Sequence, residues 1–341
     1  MKVTVLTGGT SSERDVALAS ASQIIAALRS CGHTVAAVDT ARGYIPESEE
    51  ARMISGSVGT TPPSIEHLRS LERGLLLSGL ADLGVVRDAD VLFLALHGGR
   101  GEDGTIQALL EIVGVPYTGS GRLGSAVAMD KDISKRLFQL AGVPTAEWVM
   151  GRASEAQIGA QIGWPAVVKP SKQGSTVGLS VVRSPGEYRP ALDLAAKYDD
   201  EIMVERFIPG RELTVGILEG RAMAVGEIIP RHELFDYECK YTPGMSREVF
   251  PAELSPAITA EVQRLGVLAH EALKLGGYSR VDFRLTPDER LFCLEVNTLP
   301  GMTATSLLPQ SARAVGIEFP ELCDRICRTA RRAGPAEPSA E

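Results

Sequence analysis

Near its C-terminus the chain reads RVDFR at 280–284 and, after a short polar stretch, LFCLEVN at 291–297. Side chains of a strand point alternately to opposite faces, so this alternation predicts two strands joined by a turn at 286–290. The apolar side chains would share one face: Val281, Phe283, Phe292, Leu294 and Val296. The polar ones would share the other: Arg280, Asp282, Glu295 and Asn297. The stretch therefore predicts a hairpin with one acidic face.

Oxygen-bearing side chains on this hairpin indicate a metal site. Asp282, Glu295 and Asn297 supply two carboxylates and an amide, which suit Mg²⁺ held by few protein oxygens together with substrate phosphates. A polar hairpin face is more often only the solvated face, and spacing alone favours that interpretation. The loop TLPGMT at 298–303, directly after the acidic strand, favours the metal site instead, because sites are commonly built on loops carried by a rigid scaffold. The hairpin therefore indicates an enzyme that transfers a phosphoryl group.

The composition of the 341-residue chain is that of a globular protein with two or three domains. Its net charge of −8 argues against a basic nucleic-acid surface, so no nucleic-acid partner is expected. No apolar run reaches the roughly 18–20 residues of a membrane span, and the N-terminus starts a strand instead of a signal peptide. The five cysteines are odd in number and form no CxxC pair, which fits a reducing compartment. We therefore expect a cytoplasmic protein without a membrane partner.

Residues 1–122 have the pattern of an open α/β domain. An apolar strand at 2–7 leads through a Gly-rich loop into a helix at 13–30, whose apolar residues follow the 3.6-residue period. Further strands at 35–38 and 89–96 continue the strand–loop–helix order, which predicts a parallel sheet with ligands at the carboxyl ends of its strands. Two polar loops take that position, at 8–13 and 97–104.

The remaining sequence predicts smaller mixed units. Residues 123–205 combine a helix with short strands, and residues 206–330 combine strands, a helix at 259–275 and the acidic hairpin. The polar stretch at 41–74 is expected to be an irregular peripheral insertion. The Ala-, Pro- and Glu-rich tail at 331–341 is expected to be disordered. The predicted fold class is therefore α/β for the first domain and α+β for the two later units.

A second motif, VVKPSKQGSTVG at 167–178, is a strand that ends in Lys169 and continues into a Gly/Ser loop. Backbone N–H groups of such a loop can cradle phosphates, and a lysine can act on them as a point charge. The order GxxxxGK[ST] of a Walker A motif is absent, and many Gly/Ser loops are only hairpin turns. Together with the acidic hairpin, however, the motif predicts a nucleotide site.

A third motif, ERFIPGRE at 205–212, follows a short apolar strand. Two carboxylates, Glu205 and Glu212, flank a backbone segment that could hold a base edge and a ribose. On spacing alone, a charged strand end and loop is the commoner interpretation.

In their joint order, these motifs resemble the D-alanine–D-alanine ligase family of ATP-grasp enzymes over nearly the whole chain. The shared motifs are GGTSSERDVAL at 8–18, ALHGGRGEDGTIQ at 95–107, GVPYTGSG at 114–121, MDK at 129–131, VVKPSKQGSTVG at 167–178, VERFIPGRELTV at 204–215, DYECKY at 236–241, RVDFRL at 280–285 and LEVNTLPGMTATSL at 294–307. The resemblance implies an N-terminal open parallel-sheet domain at 1–122, followed by a two-lobed ATP-grasp fold with lobes at 123–205 and 206–330. It also implies a homodimer formed through the N-terminal domain.

The resemblance implies that ATP lies between the two lobes. The matching ATP-binding positions are Lys131, Lys169, Ser175, Glu205, Arg206, Ile208, Glu212 and Lys240. The lysines would face the phosphates, the loop at 174–178 would cover them, and the two glutamates would hold adenine and ribose. Arg206 departs from the lysine often found beside the first of these glutamates. Asp282, Glu295 and Asn297 match the ligands of two Mg²⁺ ions, for which Mn²⁺ substitutes.

The implied reaction joins two D-alanine molecules through an acyl phosphate, with release of ADP and phosphate, for peptidoglycan precursor synthesis. The matching catalytic positions are Glu13, Ser175, Tyr241, Arg280, Gly301 and Ser306. Arg280 and the Gly301 N–H would stabilise the oxyanion of the tetrahedral intermediate. Glu13, which could equally be a helix cap, would anchor the first substrate's ammonium and bond to Ser175 and Tyr241 when the lid at 232–249 closes. Two further matches concern substrates: His97 lies near the first, and Ser306 and Leu307 hold the carboxylate of the second.

Three other functions compete with this one. A D-alanine–D-lactate or D-alanine–D-serine ligase is the main alternative, although Tyr241 favours the dipeptide because ester-forming relatives commonly lack this tyrosine. A dinucleotide-dependent oxidoreductase is suggested by the strand–loop–helix start, but the loop at 8–12 lacks GxGxxG. A non-catalytic ligand-binding module would leave the hairpin and the lysines unexplained.

Overall fold

A computed structural model describes residues 1–54, 58–59, 63–72, 79–233, 235, 237–242 and 244–330. Within them the strands form three sheets, of four, four and five strands. The predicted tail at 331–341 and parts of the polar stretch at 41–74, namely 55–57, 60–62 and 73–74, lie outside the described residues. None of the helices described has the length and the apolar run needed to cross a bilayer.

The first sheet has the strand order β3-β2-β1-β4. Its elements are β1 (Lys2–Thr7), α1 (Arg14–Ser30), β2 (Thr34–Asp39), β3 (Gly43–Ile45), α2 (Glu47–Met53), α3 (Ile65–Glu72), α4 (Gly84–Arg87), β4 (Val91–Leu94) and α5 (Thr105–Val113). β1 pairs in parallel with β2 and with β4, which confirms the predicted parallel sheet. α1 buries its apolar stripe against this sheet, and Gly32 follows its end with a positive φ of 81°.

The stretch at 41–74 is not irregular where the structure describes it. β3 pairs antiparallel with β2 and buries Ile45, so it extends the sheet. α2 starts after Pro46 with three acidic residues in its first turn, which suits the positive end of the helix dipole. An Arg29–Glu50 ion pair ties this helix to α1, with an Nη1–Oε2 distance of 2.7 Å. The prediction of an irregular insertion was wrong because one buried isoleucine and one long-range ion pair carry little periodic signal.

The second sheet has the order β5-β8-β6-β7, with every neighbour antiparallel. Its elements are α6 (Arg122–Met129), α7 (Lys131–Ala141), β5 (Trp148–Met150), α8 (Glu155–Gln161), β6 (Ala166–Pro170), β7 (Ser180–Val182), α9 (Pro185–Ala195) and β8 (Ile202–Arg206). Apolar residues of α8, α9 and the sheet form one core that includes Ile158, Val168, Tyr188, Leu192 and Val204. This sheet carries the strand that ends in Lys169.

The third sheet has the order β11-β10-β9-β12-β13 and is antiparallel throughout. Its elements are β9 (Arg211–Leu218), β10 (Arg221–Pro230), α10 (Tyr237–Tyr241), β11 (Ser246–Val249), α11 (Pro256–Ala272), β12 (Tyr278–Leu285), β13 (Leu291–Asn297), α12 (Leu307–Arg313) and α13 (Phe319–Arg328). α11 covers one face of this sheet through Val262, Leu265 and Ala269. α13 instead packs on α1, where Cys323 and Ile326 join the core of the first sheet.

The acidic hairpin forms as predicted, but a β-bulge shifts the register between its two strands by one residue. Asp282 lies opposite Glu295, whereas Phe283 lies opposite Cys293, so Leu294 is the extra residue of a β-bulge. The buried apolar residues of β13 are consequently Leu291, Cys293 and Val296. The prediction that Phe292 and Leu294 share the core face was therefore wrong. The bulge interrupts the alternation of side-chain faces between Cys293 and Glu295. Asp282 and Glu295 nevertheless remain opposite each other.

Candidate active site

Two adjoining cavities lie between the sheets, with volumes of about 540 Å³ and 130 Å³. They share wall residues from five segments: Lys131, Ser175, Lys240, Arg280 and Glu295. The larger cavity, called here the substrate chamber, is also lined by Glu13, His97, Asn297, Gly301, Ser306 and Leu307. The smaller, called the nucleotide cleft, is also lined by Lys169, Glu205, Arg206, Ile208, Glu212 and Asp282.

The structure thus brings together every predicted site residue except Tyr241. That tyrosine ends α10, and its side chain lies outside the described part of the chain.

On the hairpin, Asp282 is the most heavily bonded carboxylate. It accepts two hydrogen bonds from Arg280, with Nε–Oδ1 and Nη2–Oδ2 distances of 3.0 and 2.8 Å. Thr214 Oγ1 donates to it at 2.7 Å and Asn297 Nδ2 at 2.9 Å. A fork-to-fork pair of this kind fixes the guanidinium plane as well as its charge. Arg280 is therefore held rigidly at the wall shared by the two cavities.

Glu295, opposite Asp282, lies in a concentration of positive charge. Burial alone would raise its pKa, but Lys131, Lys240 and Lys169 outweigh that effect and lower the pKa to about 2. Lys131 is the closest, with an Nζ–Oε2 distance of 3.1 Å. Glu295 is consequently ionised at neutral pH, although it is largely removed from water.

The donor set of the hairpin fits a hard divalent cation. Asp282 and Glu295 lie side by side on paired strands, with the Asn297 amide next to them. Oxygen ligands of this kind, few in number, are those that Mg²⁺ takes when substrate phosphates complete its shell. Among the described residues there is no group of three or more His, Cys, Asp or Glu side chains able to hold a metal without such help.

Lys135, which the sequence motifs did not single out, is completely buried beside Glu205, a residue that lines the nucleotide cleft. Its Nζ lies 2.9 Å from Glu205 Oε2 and 2.8 Å from Thr145 Oγ1, and it sits 5.0 Å from the centre of the Trp148 ring. Lys169 binds the other oxygen of Glu205. The signal was present in the sequence, because a residue four positions after Lys131 lies on the same helix face.

Glu205 was predicted to hold adenine or ribose, and the structure gives its carboxylate two lysine partners. Burial opposes ionisation of Glu205, but Lys135 and Lys169 lower its pKa to about 2. Burial in turn lowers the pKa of Lys135. Glu205 thus fixes Lys169 at the cleft while Lys135 remains as its second counter-ion.

We expect Lys135→Met to destabilise the folded protein by about 2 kcal/mol, because Glu205 Oε2 and Thr145 Oγ1 lose a buried hydrogen-bond donor while Lys169 still balances the charge of Glu205. The measurement is the free energy of unfolding in urea. Arg136→Met is the matched control, since Arg136 is exposed and its pair with Asp132 is a surface pair worth less than about 1 kcal/mol. A loss below about 0.5 kcal/mol in Lys135→Met would contradict the assignment.

The pH dependence of stability gives a second readout for the same variant. The folded pKa of Glu205 is about 2, below the ordinary 4.5, so its contribution is present above about pH 4.5 and is lost as the pH falls toward 2. Lys135→Met removes one cause of the low pKa. Its stability should therefore fall less steeply than that of the parent across this acidic range.

Glu212 is bound by a second residue that the motifs did not single out, Arg284. Arg284 Nη1 donates to Glu212 Oε2 at 3.2 Å and its Nε donates to the Ile208 carbonyl at 3.1 Å. Burial raises the pKa of Glu212. The Arg206 side chain is exposed at the surface, where it pairs with Glu147.

Glu13 makes no hydrogen bond that caps α1, so the capping interpretation of this residue is not realised. Its carboxylate instead accepts a short hydrogen bond from Ser175 Oγ. Ser175 and Thr176 have positive φ angles of 51° and 62°, an uncommon conformation for residues other than glycine. A Cβ on the preceding Gly174 would lie 2.9 Å from Glu13 Oε2. The 174–178 loop is thus pressed against the start of α1.

A second covering segment touches this loop. Thr176 Oγ1 donates to the Phe235 carbonyl at 3.0 Å, and Lys240 Nζ lies 5.4 Å from the centre of the Phe235 ring. The loop of the second sheet and the segment around α10 therefore close over the same wall of the two cavities.

The loop at 298–304 is held by hydrogen bonds from its surroundings. The acceptors are Glu102 Oε1 for the N–H groups of Thr298 and Leu299, Ser20 Oγ for Met302, Ser306 Oγ for Thr303 and Gln23 Oε1 for Ala304, at 2.6–3.2 Å. Pro300 has no N–H group. Among the hydrogen bonds between described residues, none uses the N–H of Gly301, which lines the substrate chamber. This loop therefore presents one unpaired donor to the chamber.

Glu102 was also absent from the predicted site. Besides the two loop N–H groups it accepts from Thr298 Oγ1 and, through its other oxygen, from the Gly98 N–H. Burial raises the pKa of Glu102. His97, in the same segment, is buried and bonds through Nδ1 to the Leu299 carbonyl at 2.7 Å and through Nε2 to Ser20 Oγ at 3.1 Å. Both ring nitrogens of His97 thus have protein partners.

Taken together, the arrangement suits two linked reactions. The nucleotide cleft gathers lysines around paired carboxylates, which suits a polyphosphate with divalent cations. The substrate chamber offers a carboxylate at Glu13 for an ammonium group, and Arg280 with the Gly301 N–H for a developing oxyanion. Because the two spaces share a wall, a group phosphorylated in one can react in the other.

Two protein-family models match the chain, those described as the D-ala D-ala ligase N-terminus, over residues 2–120, and the D-ala D-ala ligase C-terminus, over residues 136–328. The D-alanine–D-alanine ligase of Geobacter sulfurreducens is 44% identical over 95% of this chain and 92% of its own length. That of Citrifermentans bemidjiense is 43% identical over 96% of both chains. Among solved structures, the D-alanine–D-alanine ligase of Bacillus anthracis complexed with ATP superposes with a TM-score of 0.75, at 29% identity and 96% coverage of both chains.

Proposed function

The chain belongs to the D-alanine–D-alanine ligase family, and we propose that it joins two D-alanine molecules into D-alanyl-D-alanine with conversion of ATP to ADP and phosphate. The observation that carries this function is the shared wall of the two cavities. Lys131, Arg280 and Glu295 border both the nucleotide cleft and the substrate chamber. A carboxylate bound in the chamber therefore lies next to the phosphates bound in the cleft.

In the first step, the carboxylate of one D-alanine attacks the γ-phosphorus of ATP. A carboxyl O–P bond forms, the bond to the bridging oxygen breaks, and ADP leaves. Glu13 holds the ammonium of this substrate, while Lys131, Lys169 and Lys240 balance the charge of the transferring group. Asp282, Glu295 and Asn297 would hold two Mg²⁺ ions, or Mn²⁺ in their place, and the bound metal neutralises phosphate charge.

In the second step, the amine of the other D-alanine, having lost its proton, attacks the carbonyl carbon of the acyl phosphate. A C–N bond forms, and the carbonyl oxygen becomes an oxyanion that accepts hydrogen bonds from Arg280 and from the Gly301 N–H. Collapse of the intermediate expels phosphate. Ser306 and Leu307, at the start of α12, lie where the carboxylate of this second substrate would bind.

An acyl phosphate must be protected from water, and two covering segments can do so. The Ser175–Glu13 bond closes the 174–178 loop over the chamber. The segment around α10, which carries Lys240 and Tyr241, contacts that loop through Phe235. Tyr241 would complete the closure and favour an amine as the second nucleophile over the hydroxyl of D-lactate.

The test is an ADP-release assay with ATP and Mg²⁺ that compares D-alanine, L-alanine, D-serine and D-lactate. Of these four compounds, we expect only D-alanine to support ADP release, and we expect the dipeptide to form with it. Preferential formation of the ester from D-alanine and D-lactate at neutral pH would support the D-alanine–D-lactate alternative. Absence of D-alanine-dependent release would overturn the proposed function altogether.

Three wider statements rest on the same proposal. The functional division would be an N-terminal domain at 1–122 and ATP-grasp lobes at 123–205 and 206–330. The product would serve peptidoglycan precursor synthesis in the cytoplasm, a location that the free cysteines support. A homodimer through the first domain is supported by the exposed apolar residue Ile112, and sedimentation equilibrium would measure it.

A further inference from the structure

A chain of hydrogen bonds runs from helix α1 to the loop that carries Gly301. The Met302 N–H donates to Ser20 Oγ at 3.2 Å, Ser20 Oγ lies 3.1 Å from His97 Nε2, and His97 Nδ1 lies 2.7 Å from the Leu299 carbonyl oxygen. Both side chains are buried, Ser20 completely. This series of hydrogen bonds therefore begins at Met302 and ends at Leu299, on either side of Gly301 in the same loop, and passes through Ser20 of α1.

The direction of each bond follows from the chemistry of the groups. A carbonyl oxygen only accepts, so Nδ1 of His97 must carry a proton. In the neutral ring Nε2 is then an acceptor, and the hydroxyl proton of Ser20 points to it. This leaves a lone pair of Ser20 Oγ for the Met302 N–H. The Leu299 carbonyl thus selects one tautomer of His97, and Ser20 binds both that imidazole and the loop.

The loop is anchored by packing as well as by these bonds. Leu299 and Met302 are 3% and 1% exposed and belong to the core of the first sheet, not to that of the sheet from which the loop emerges. Between them, Gly301 keeps the one N–H group of 298–304 that no described residue uses. A Cβ at Gly301 would lie 3.0 Å from Ser306 Oγ, so the space is closed on that side too.

We propose that Ser20 and His97 are positioning residues that fix the Gly301 N–H for the oxyanion of the second step. The inference rests on the proposed ligase function and adds to it a role for α1, a helix of the other domain. His97 then acts through the loop and not through contact with the first substrate. Glu102 and Gln23 hold the flanks of the same loop, but Ser20 alone reaches both the loop backbone and the imidazole.

The test separates the two chemical steps by rapid quench, because the first releases ADP and the second forms dipeptide. In Ser20→Ala we expect dipeptide formation to slow about 10- to 100-fold while ADP forms at the parent rate, so that ADP appears before dipeptide. The size follows from the effect of misplacing an oxyanion donor. Ser30→Ala is the matched control, since Ser30 lies in the same helix but bonds only to the Ala27 carbonyl.

His97→Asn and the double variant test the connection between the two residues. The asparagine amide can replace Nδ1 toward Leu299 but leaves Ser20 without its acceptor, so the same delay before dipeptide is expected. If Ser20 and His97 act through the same series of hydrogen bonds, their effects should not multiply. The double variant Ser20→Ala, His97→Asn should then form dipeptide no more than about threefold more slowly than the slower single variant.

Equal slowing of ADP and dipeptide, an unchanged dipeptide rate, or fully multiplicative effects in the double variant would overturn the inference. Those results would leave the proposed function intact, since the parent protein would still release ADP with D-alanine. Failure of the parent to do so would instead overturn the proposed function.

Discussion

Glu295→Gln is expected to lower the rate of ADP release about a thousandfold while the protein stays folded. The carboxylate is ionised at neutral pH because Lys131, Lys240 and Lys169 outweigh the effect of burial and hold its pKa at about 2. Glutamine removes this negative charge from the centre of the lysine group and leaves Asp282 as the remaining carboxylate of the proposed metal site. The variant should therefore bind the proposed metal ions more weakly. The positive charges of the three lysines should also be less well balanced.

The measurement is ADP release in a titration with Mg²⁺, with thermal unfolding as the check on folding. Glu289→Gln is the matched control, because Glu289 lies in the turn of the same hairpin and is exposed. The control should behave as the parent. Near-normal turnover of Glu295→Gln in saturating Mg²⁺ would remove Glu295 from the metal site.

Arg280→Lys should reduce kcat at least about a hundredfold with little change in the KM for ATP. Lysine keeps the positive charge but cannot make the two-bond pair with Asp282, whose present Nε–Oδ1 and Nη2–Oδ2 distances are 3.0 and 2.8 Å. The proposed oxyanion donor loses its fixed plane, and Asp282 loses a partner. The effect should therefore fall on the chemical steps, since the substitution removes an interaction made most strongly in the transition state.

Steady-state kinetics with ATP and D-alanine varied separately would measure this. Arg290→Lys is the control, because Arg290 pairs with Asp288 in the exposed turn of the same hairpin. Retention of more than about a third of the parent kcat by Arg280→Lys would show that geometry at this position matters little.

The elements with a strong period were predictable from the sequence. β1, α1 and the acidic hairpin combine an apolar alternation or stripe with a polar boundary, and each forms near the expected residues. The bulge at Leu294 could not be predicted, because Cys293 and Leu294 are both apolar and either could occupy the buried position. Local pattern therefore fixes an element more firmly than it fixes which side chain faces the core.

Site residues that belong to a sequence motif were predictable. Site residues whose role depends on a distant partner were not. The predicted site residues on the motifs, apart from Tyr241, line the two cavities. Ser20 and Glu102 were missed because their roles depend on partners far away in the chain, such as Met302 for Ser20. Lys135 was missed although it lies four residues after Lys131, on the same helix face. A buried serine in a helix carries no pattern that separates such a role from simple packing.

The packing of α13 on α1 has a consequence for how the protein is made. The core of the first sheet includes Ile326 as well as Ile24, and His33, in the turn after α1, has its Nε2 2.9 Å from Asp324 Oδ1 of α13. During synthesis the residues of this sheet emerge before those of α13, so one side of α1 stays uncovered until the helix at 319–328 has left the ribosome. The first sheet therefore completes its core only after α13 docks, and a nascent chain must shield that apolar face in the interval.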